Sequence, residues 1–180
     1  MQSDLISDPV LRQCYRFERG TDPGGGEFLS IETWVDPGGG VTPHRHPSME
    51  ERFTVHSGRM SFLSGRRWVE AGPGETVVVP PGTRHNYRND SDGPAHMTCE
   101  ARPPATLEEF LTEAAELNKR GVLTRNAFPK RPATLLDVAD LAERYRDMVT
   151  FSFPPGPPRL IQRLVFPPLA RLKRRRRTTK

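Results

Sequence analysis

The sequence predicts a mostly β fold, a small barrel followed by helices and a basic tail. Three observations predict it. Short β-branched or aromatic runs, such as Phe53-Thr54-Val55 and Val77-Val78-Val79, are bounded by glycines and prolines, the pattern of strands joined by tight turns. The 15 glycines and 19 prolines among 180 residues supply many such turns. Strand periodicity stops at Pro103-Pro104, and a helical spacing of apolar residues replaces it.

Taken in order, residues 1–24 read as a lead-in, with Cys14-Tyr15-Arg16-Phe17 as an edge strand and Asp22-Pro23-Gly24-Gly25-Gly26 as a turn. Residues 25–102 read as the barrel, with strands at 28–35, 59–63, 67–70, 76–80, 85–89 and 95–101 besides the stretch carrying Phe53 and Val55. Residues 103–150 read as a helical extension. Thr106 is an N-cap candidate with Glu109 three residues on, as in a capping box. Leu107, Phe110, Leu111, Ala114, Ala115 and Leu117 keep helical spacing up to Gly121, and a second helix starts near Thr134. These helices are expected to pack on the barrel. Residues 151–180 read as a proline-rich arm and a basic tail. Within it, Leu160, Ile161, Leu164, Val165 and Leu169 make an amphipathic stretch interrupted by Pro167-Pro168, expected to dock on the barrel or a second subunit.

Charge is split along the chain. The net charge is +5, yet residues 151–180 hold nine Lys or Arg and no Asp or Glu, leaving 18 basic against 22 acidic groups elsewhere. The run Lys173-Arg174-Arg175-Arg176-Arg177 offers weak contact to an anionic membrane or nucleic acid, and its plain reading is a solvated, partly disordered terminus. No apolar run is long enough to span a bilayer, and residues 1–9 lack the pattern of a signal peptide. Cys14 and Cys99 make no disulfide framework, so a reduced cytoplasmic protein is expected.

The chemistry concentrates in His44, His46, Glu51 and His85. Imidazole and carboxylate suit zinc, iron, nickel and manganese. Residues two apart on a strand share a face, so His44 and His46 point together and Glu51 points inward with Phe53 and Val55. Glu50 then points away, as a solvated side chain or an outer partner of a ligand histidine. His85 follows the Pro80-Pro81-Gly82 turn. His56 and His96 read as ordinary histidines, and neither cysteine is near these residues in sequence.

Gly38, His44, His46, Glu51 and Gly58 fall at the spacing G-x5-H-x-H-x4-E-x6-G, and Gly74, Pro80, Gly82, His85 and Asn89 at G-x5-P-x-G-x2-H-x3-N. All ten positions resemble the two metal-binding motifs of the cupin superfamily. The resemblance covers residues 25–102. It implies a cupin double-stranded β-helix, a jelly-roll-like barrel, holding one divalent ion (Fe, Mn, Ni or Zn) on His44, His46, Glu51 and His85. Open positions on the ion would admit a small-molecule substrate. Met60, Phe62, Val77 and Val79, with Trp34 less firmly, read as an apolar pocket wall suited to an aromatic or enol-bearing molecule. Tyr87 shares a face with His85 and is the candidate proton donor; Glu51 is a candidate base. The expected activity is that of a metal-dependent dioxygenase or other oxygenase. A cyclase, isomerase or lyase on the same site, or a metal-held ligand sensor without turnover, are the alternatives. A homodimer is the expected assembly.

Overall fold

A computed structural model describes residues 4–178, with side chains through residue 175. Among the described residues, eleven strands form two antiparallel sheets. The strands are β1 (Ile6–Asp8), β2 (Gln13–Thr21), β3 (Glu27–Val35), β4 (His44–Arg45), β5 (Glu50–Ser57), β6 (Met60–Ser64), β7 (Arg67–Ala71), β8 (Thr76–Val79), β9 (His85–Arg88), β10 (Ala95–Arg102) and β11 (Thr150–Phe151). The six-stranded sheet runs β1-β2-β3-β10-β5-β8 and the five-stranded sheet β11-β4-β9-β6-β7. The sheets face one another without closing, so the expected barrel is a two-sheet double-stranded β-helix.

Alternation explains the core. Leu29, Ile31, Thr33 and Val35 of β3 are buried, as are Ala95, Met97, Cys99 and Ala101 of β10, while the residues between them are half-buried. Register carries the pattern across the sheet: Cys99 lies between Ile31 and Phe53, and Ala101 between Leu29 and Glu51. Phe53, Phe62 and Tyr87 meet ring to ring between the sheets.

The expected edge strand around Cys14-Tyr15-Arg16-Phe17 is an interior strand. β2 runs nine residues, and the short β1 covers its outer edge, with Asp8 opposite Gln13. The three residues of β1 are too short a run for alternation to mark them as a strand.

Among the described residues, four α-helices follow: α1 (Leu107–Lys119), α2 (Leu135–Arg144), α3 (Arg159–Leu164) and α4 (Phe166–Thr178). Thr106 makes no side-chain cap, so the expected capping box is not formed. The C-terminal signal does act. Gly121 takes φ +68°, its N–H donates to Asn118 O, and Val122 N–H donates to Leu117 O, which closes α1 as a Schellman motif. α1 packs on the six-stranded sheet: the Tyr15 hydroxyl donates to Leu111 O at 2.8 Å.

The tail is helical where a disordered terminus was the plain reading. Pro167 and Pro168 fall in the first turn of α4, where no N–H is required, so they end α3 and begin α4. Phe166 and Ala170 are buried, and Lys173 and Arg174 pair with Asp137 and Asp140 of α2. Leu160, Ile161, Leu164 and Val165 stay exposed. The expected basic run continues into Arg176 and Arg177, whose side chains lie outside the described residues. No helix among the described residues is long and apolar enough to cross a membrane.

Candidate metal centre

The structure brings His44, His46, Glu51 and His85 together, with one ligand-type atom from each lying within 4.8 Å of the others. Each arrives on a different support. His44 sits on β4 opposite His85 of β9. His46 follows β4, and its carbonyl accepts Gly82 N–H at 2.7 Å, so the Pro80-Pro81-Gly82 turn is latched beneath it. Glu51 points inward from β5 and is 5% exposed, whereas Glu50 turns outward toward Arg52.

Backbone carbonyls set the proton positions. His44 Nδ1 donates to Thr42 O at 2.7 Å, His46 Nδ1 to Met148 O at 2.9 Å and His85 Nδ1 to Thr83 O at 2.9 Å. A neutral imidazole carries one N–H, so Nε2 of His44 and of His46 is left with a bare lone pair, while His85 Nε2 faces the Glu51 carboxylate, which favours a proton on it. His44 Nε2 and His46 Nε2 face each other at 3.1 Å. Two lone pairs at that distance repel, and a cation between them removes the repulsion. Glu51 Oε2 lies 2.6 Å from His85 Nε2, and Oε1 lies 3.6 Å from His46 Nε2.

The charges agree with this arrangement. Burial pushes the Glu51 carboxyl up, but the His85 and His46 imidazoles outweigh it and hold it at about 2. Burial holds His44 and His46 below the ordinary imidazole value, so both stay neutral. Burial also opposes charge on His85, but Glu51 overrides it and raises that group. Three neutral-capable imidazoles and one carboxylate, with carbonyls fixing the ring orientations, therefore fit a divalent ion.

An apolar cavity of about 110 Å³ adjoins His44, His46 and Glu51. Its wall differs from the expected one. Met60, Phe62 and Val79 are buried core side chains that do not line it, nor does Val77. Trp34 stacks on His96 at 4.8 Å elsewhere in the molecule. The wall instead comes from Ile31, Phe53 and Cys99 of the sheet, from Leu107, Phe110 and Leu111 of α1, and from Val138 and Leu141 of α2. Periodicity marks these side chains as buried but does not reveal which elements meet around the site.

Tyr87 also lines the cavity, and its hydroxyl donates to Gln13 Oε1 at 2.8 Å. Burial pushes its phenol far above the ordinary value, so it is protonated. Sequence reasoning missed Gln13 and Cys99. Gln13 shares its face with Tyr15 and Phe17, a signal that alternation could have used. Cys99 is distant from the motifs in sequence, yet its Sγ donates to Glu51 Oε1 at 3.8 Å because β10 lies beside β5. His56 and His96 bond Thr98 and Glu32, away from the centre.

The two-sheet fold and the His/Glu group agree with a double-stranded β-helix domain that could hold a metal ion. Residues 32–99 match the cupin domain family. It is 26% identical over 87 residues to quercetin 2,3-dioxygenase of Bacillus subtilis, covering 48% of this chain and 25% of that enzyme. It is 28% identical over 78 residues to an uncharacterized protein of Methanocaldococcus jannaschii, covering 43% of this chain and 62% of that one. The chain therefore spans less than two thirds of the length of either relative. Its fold is similar to that of KdgF from Halomonas sp., with a TM-score of 0.51, 17% identity, and 59% of this chain and 91% of that chain covered.

Proposed function

We propose that this protein is a metal-dependent cupin enzyme acting on a small, mainly apolar molecule, and that its reaction is an oxygenation. The observation that carries the reading is the set of Nε2 lone pairs and the Glu51 carboxylate converging beside an apolar cavity. A divalent ion bound there would supply Lewis acidity and a place for substrate oxygen atoms. The chain's own residues do the rest. Phe53, Phe110 and Leu111 exclude water and favour a flat or aromatic guest. Glu51 is ionised and within reach of a proton from the guest. Tyr87 holds its proton against Gln13 and can return it to the product. The similarity to quercetin 2,3-dioxygenase supports an aromatic, enol-bearing substrate and makes quercetin the first probe.

The test is oxygen uptake by iron-, manganese- or nickel-loaded protein offered quercetin and simpler enols. Uptake in step with substrate loss is expected. Conversion without uptake would replace the oxygenase reading by a cyclase or isomerase. Tight binding without turnover would leave a sensor.

A further inference from the structure

The cavity holds a second polar pair, four strand steps from the metal-ligating Glu51. Asp8 on β1 and Glu51 on β5 belong to one sheet, with β2, β3 and β10 between them, and both line the same cavity. Asn118, in the last turn of α1, joins Asp8 there. Asp8 is 1% exposed and Asn118 6% exposed. Asp8 Oδ1 accepts Val10 N–H at 3.1 Å and Leu11 N–H at 3.0 Å, and its Oδ2 accepts Asn118 Nδ2–H at 2.7 Å.

That last bond fixes the amide. Asp8 Oδ2 needs a donor, so Asn118 turns its nitrogen to it and its oxygen away. Asn118 Oδ1 is buried and has no hydrogen-bond partner. Buried acceptors are rarely left so, because they have lost water without replacement. Two hydroxyls that line the same cavity are engaged elsewhere. The Tyr15 hydroxyl is spent on Leu111 O, and the Tyr87 hydroxyl on Gln13.

We propose that Asn118 Oδ1, held by Asp8, is a distal recognition point that accepts a hydrogen bond from a hydroxyl or N–H at the far end of the substrate. This rests on the metal-centred reading above and narrows its substrate class. The guest is elongated and mostly apolar, with oxygen atoms for the ion at one end and a hydrogen-bond donor at the other. A guest ending in a carboxylate is disfavoured, since it would meet an amide oxygen backed by a carboxyl group.

Zinc-loaded full-length protein tests this by calorimetric titration without turnover. The probes are 4-phenylcatechol and 4-styrylcatechol, each with and without a para-hydroxyl on the distal ring. The two scaffolds differ in reach. The distal hydroxyl is expected to tighten binding about tenfold in at least one scaffold, the worth of one hydrogen bond at a buried site. Asn118→Leu is expected to abolish that gain and leave the plain catechols unaffected. In the native protein, the Asn118 side-chain amide resonance should shift with the hydroxylated probe and not with the plain one. This readout stands even if Asn118→Leu fails to fold. Equal affinity of hydroxylated and plain probes in both scaffolds would overturn the inference while leaving the metal-centred reading intact. An unmoved Asn118 amide, or an undiminished gain in Asn118→Leu, would do the same. Failure of every catechol to bind would instead overturn the metal-centred reading, and this inference with it.

Discussion

Three backbone carbonyls decide what His44, His46 and His85 can do. By taking the Nδ1 protons, they turn the three Nε2 atoms toward one point. His46→Ala is therefore expected to lose the ion, read as metal content per chain after purification. An unchanged metal content would break the ligand assignment. Tyr87→Phe should keep the ion and lower turnover by about 10²-fold or more, the usual worth of a positioned proton donor. Equal turnover would remove Tyr87 from the chemistry. Asp8 makes a prediction about pH. Burial is the largest influence on its carboxyl and raises it above the ordinary 3.8, against the hydrogen bonds from Leu11, Asn118 and Val10. The folded chain thus binds the Asp8 proton more tightly than the unfolded chain. The stability this contributes is complete below pH 3.8 and is lost as pH rises through the folded-state value. In urea titrations from about pH 4 to about pH 7, native protein should lose stability relative to Asp8→Asn. A constant difference would contradict it.

At the scale of elements, the strands carry their side chains inward only if their turns hold. Gly40 has φ +143°, and a Cβ there would meet Tyr87 O at 2.3 Å, on the strand that also bears His85. Gly38 has φ +74° and open space around its Cβ position. Gly38→Ala should cost about 1–2 kcal/mol, from backbone conformation alone. Gly40→Ala should cost more than this and also weaken ion binding, because β9 must move. Denaturant unfolding and metal titration of the pair would show whether that difference exists. The same contrast explains what could be read from sequence. Glu51 was distinguishable from Glu50 because alternation with Phe53 and Val55 fixes a face within one strand. The neighbours of Glu51 were not legible, because Cys99 reaches it only through the β5–β10 register. Gln13 lay in an alternating run that could have been read, but its meeting with Tyr87 crosses from one sheet to the other. Likewise the helical spacing of α1 and α2 was visible, while their service as cavity wall depends on how they dock.

At the scale of the molecule, the C-terminal helices complete the interior. Phe166 of α4 is 3% exposed and lines the cavity. Phe166→Ala should destabilise the protein by about 3 kcal/mol or more and open the cavity, read as a lower melting temperature with increased binding of a hydrophobic dye. A loss below about 1 kcal/mol would mean that α4 closes the cavity only loosely. The tail's helical state could not be read from its composition. Arginines and lysines in a row suggest solvation, whereas the acidic face of α2, with Asp137 and Asp140, pairs with Lys173 and Arg174.

His46 donates to the carbonyl of Met148, 102 residues away, and Thr150–Phe151 pairs with the strand that bears His44. The matched cupin segment ends at residue 99, so it contains all four candidate ligands and lacks one of the hands that aims them. Minimal transplants of the motif into another scaffold would carry the right residues with one ring free to turn. Linkage runs both ways: an ion in the centre would fasten the stretch around Met148, and a molecule that gripped or freed that stretch would adjust how tightly the ion is held.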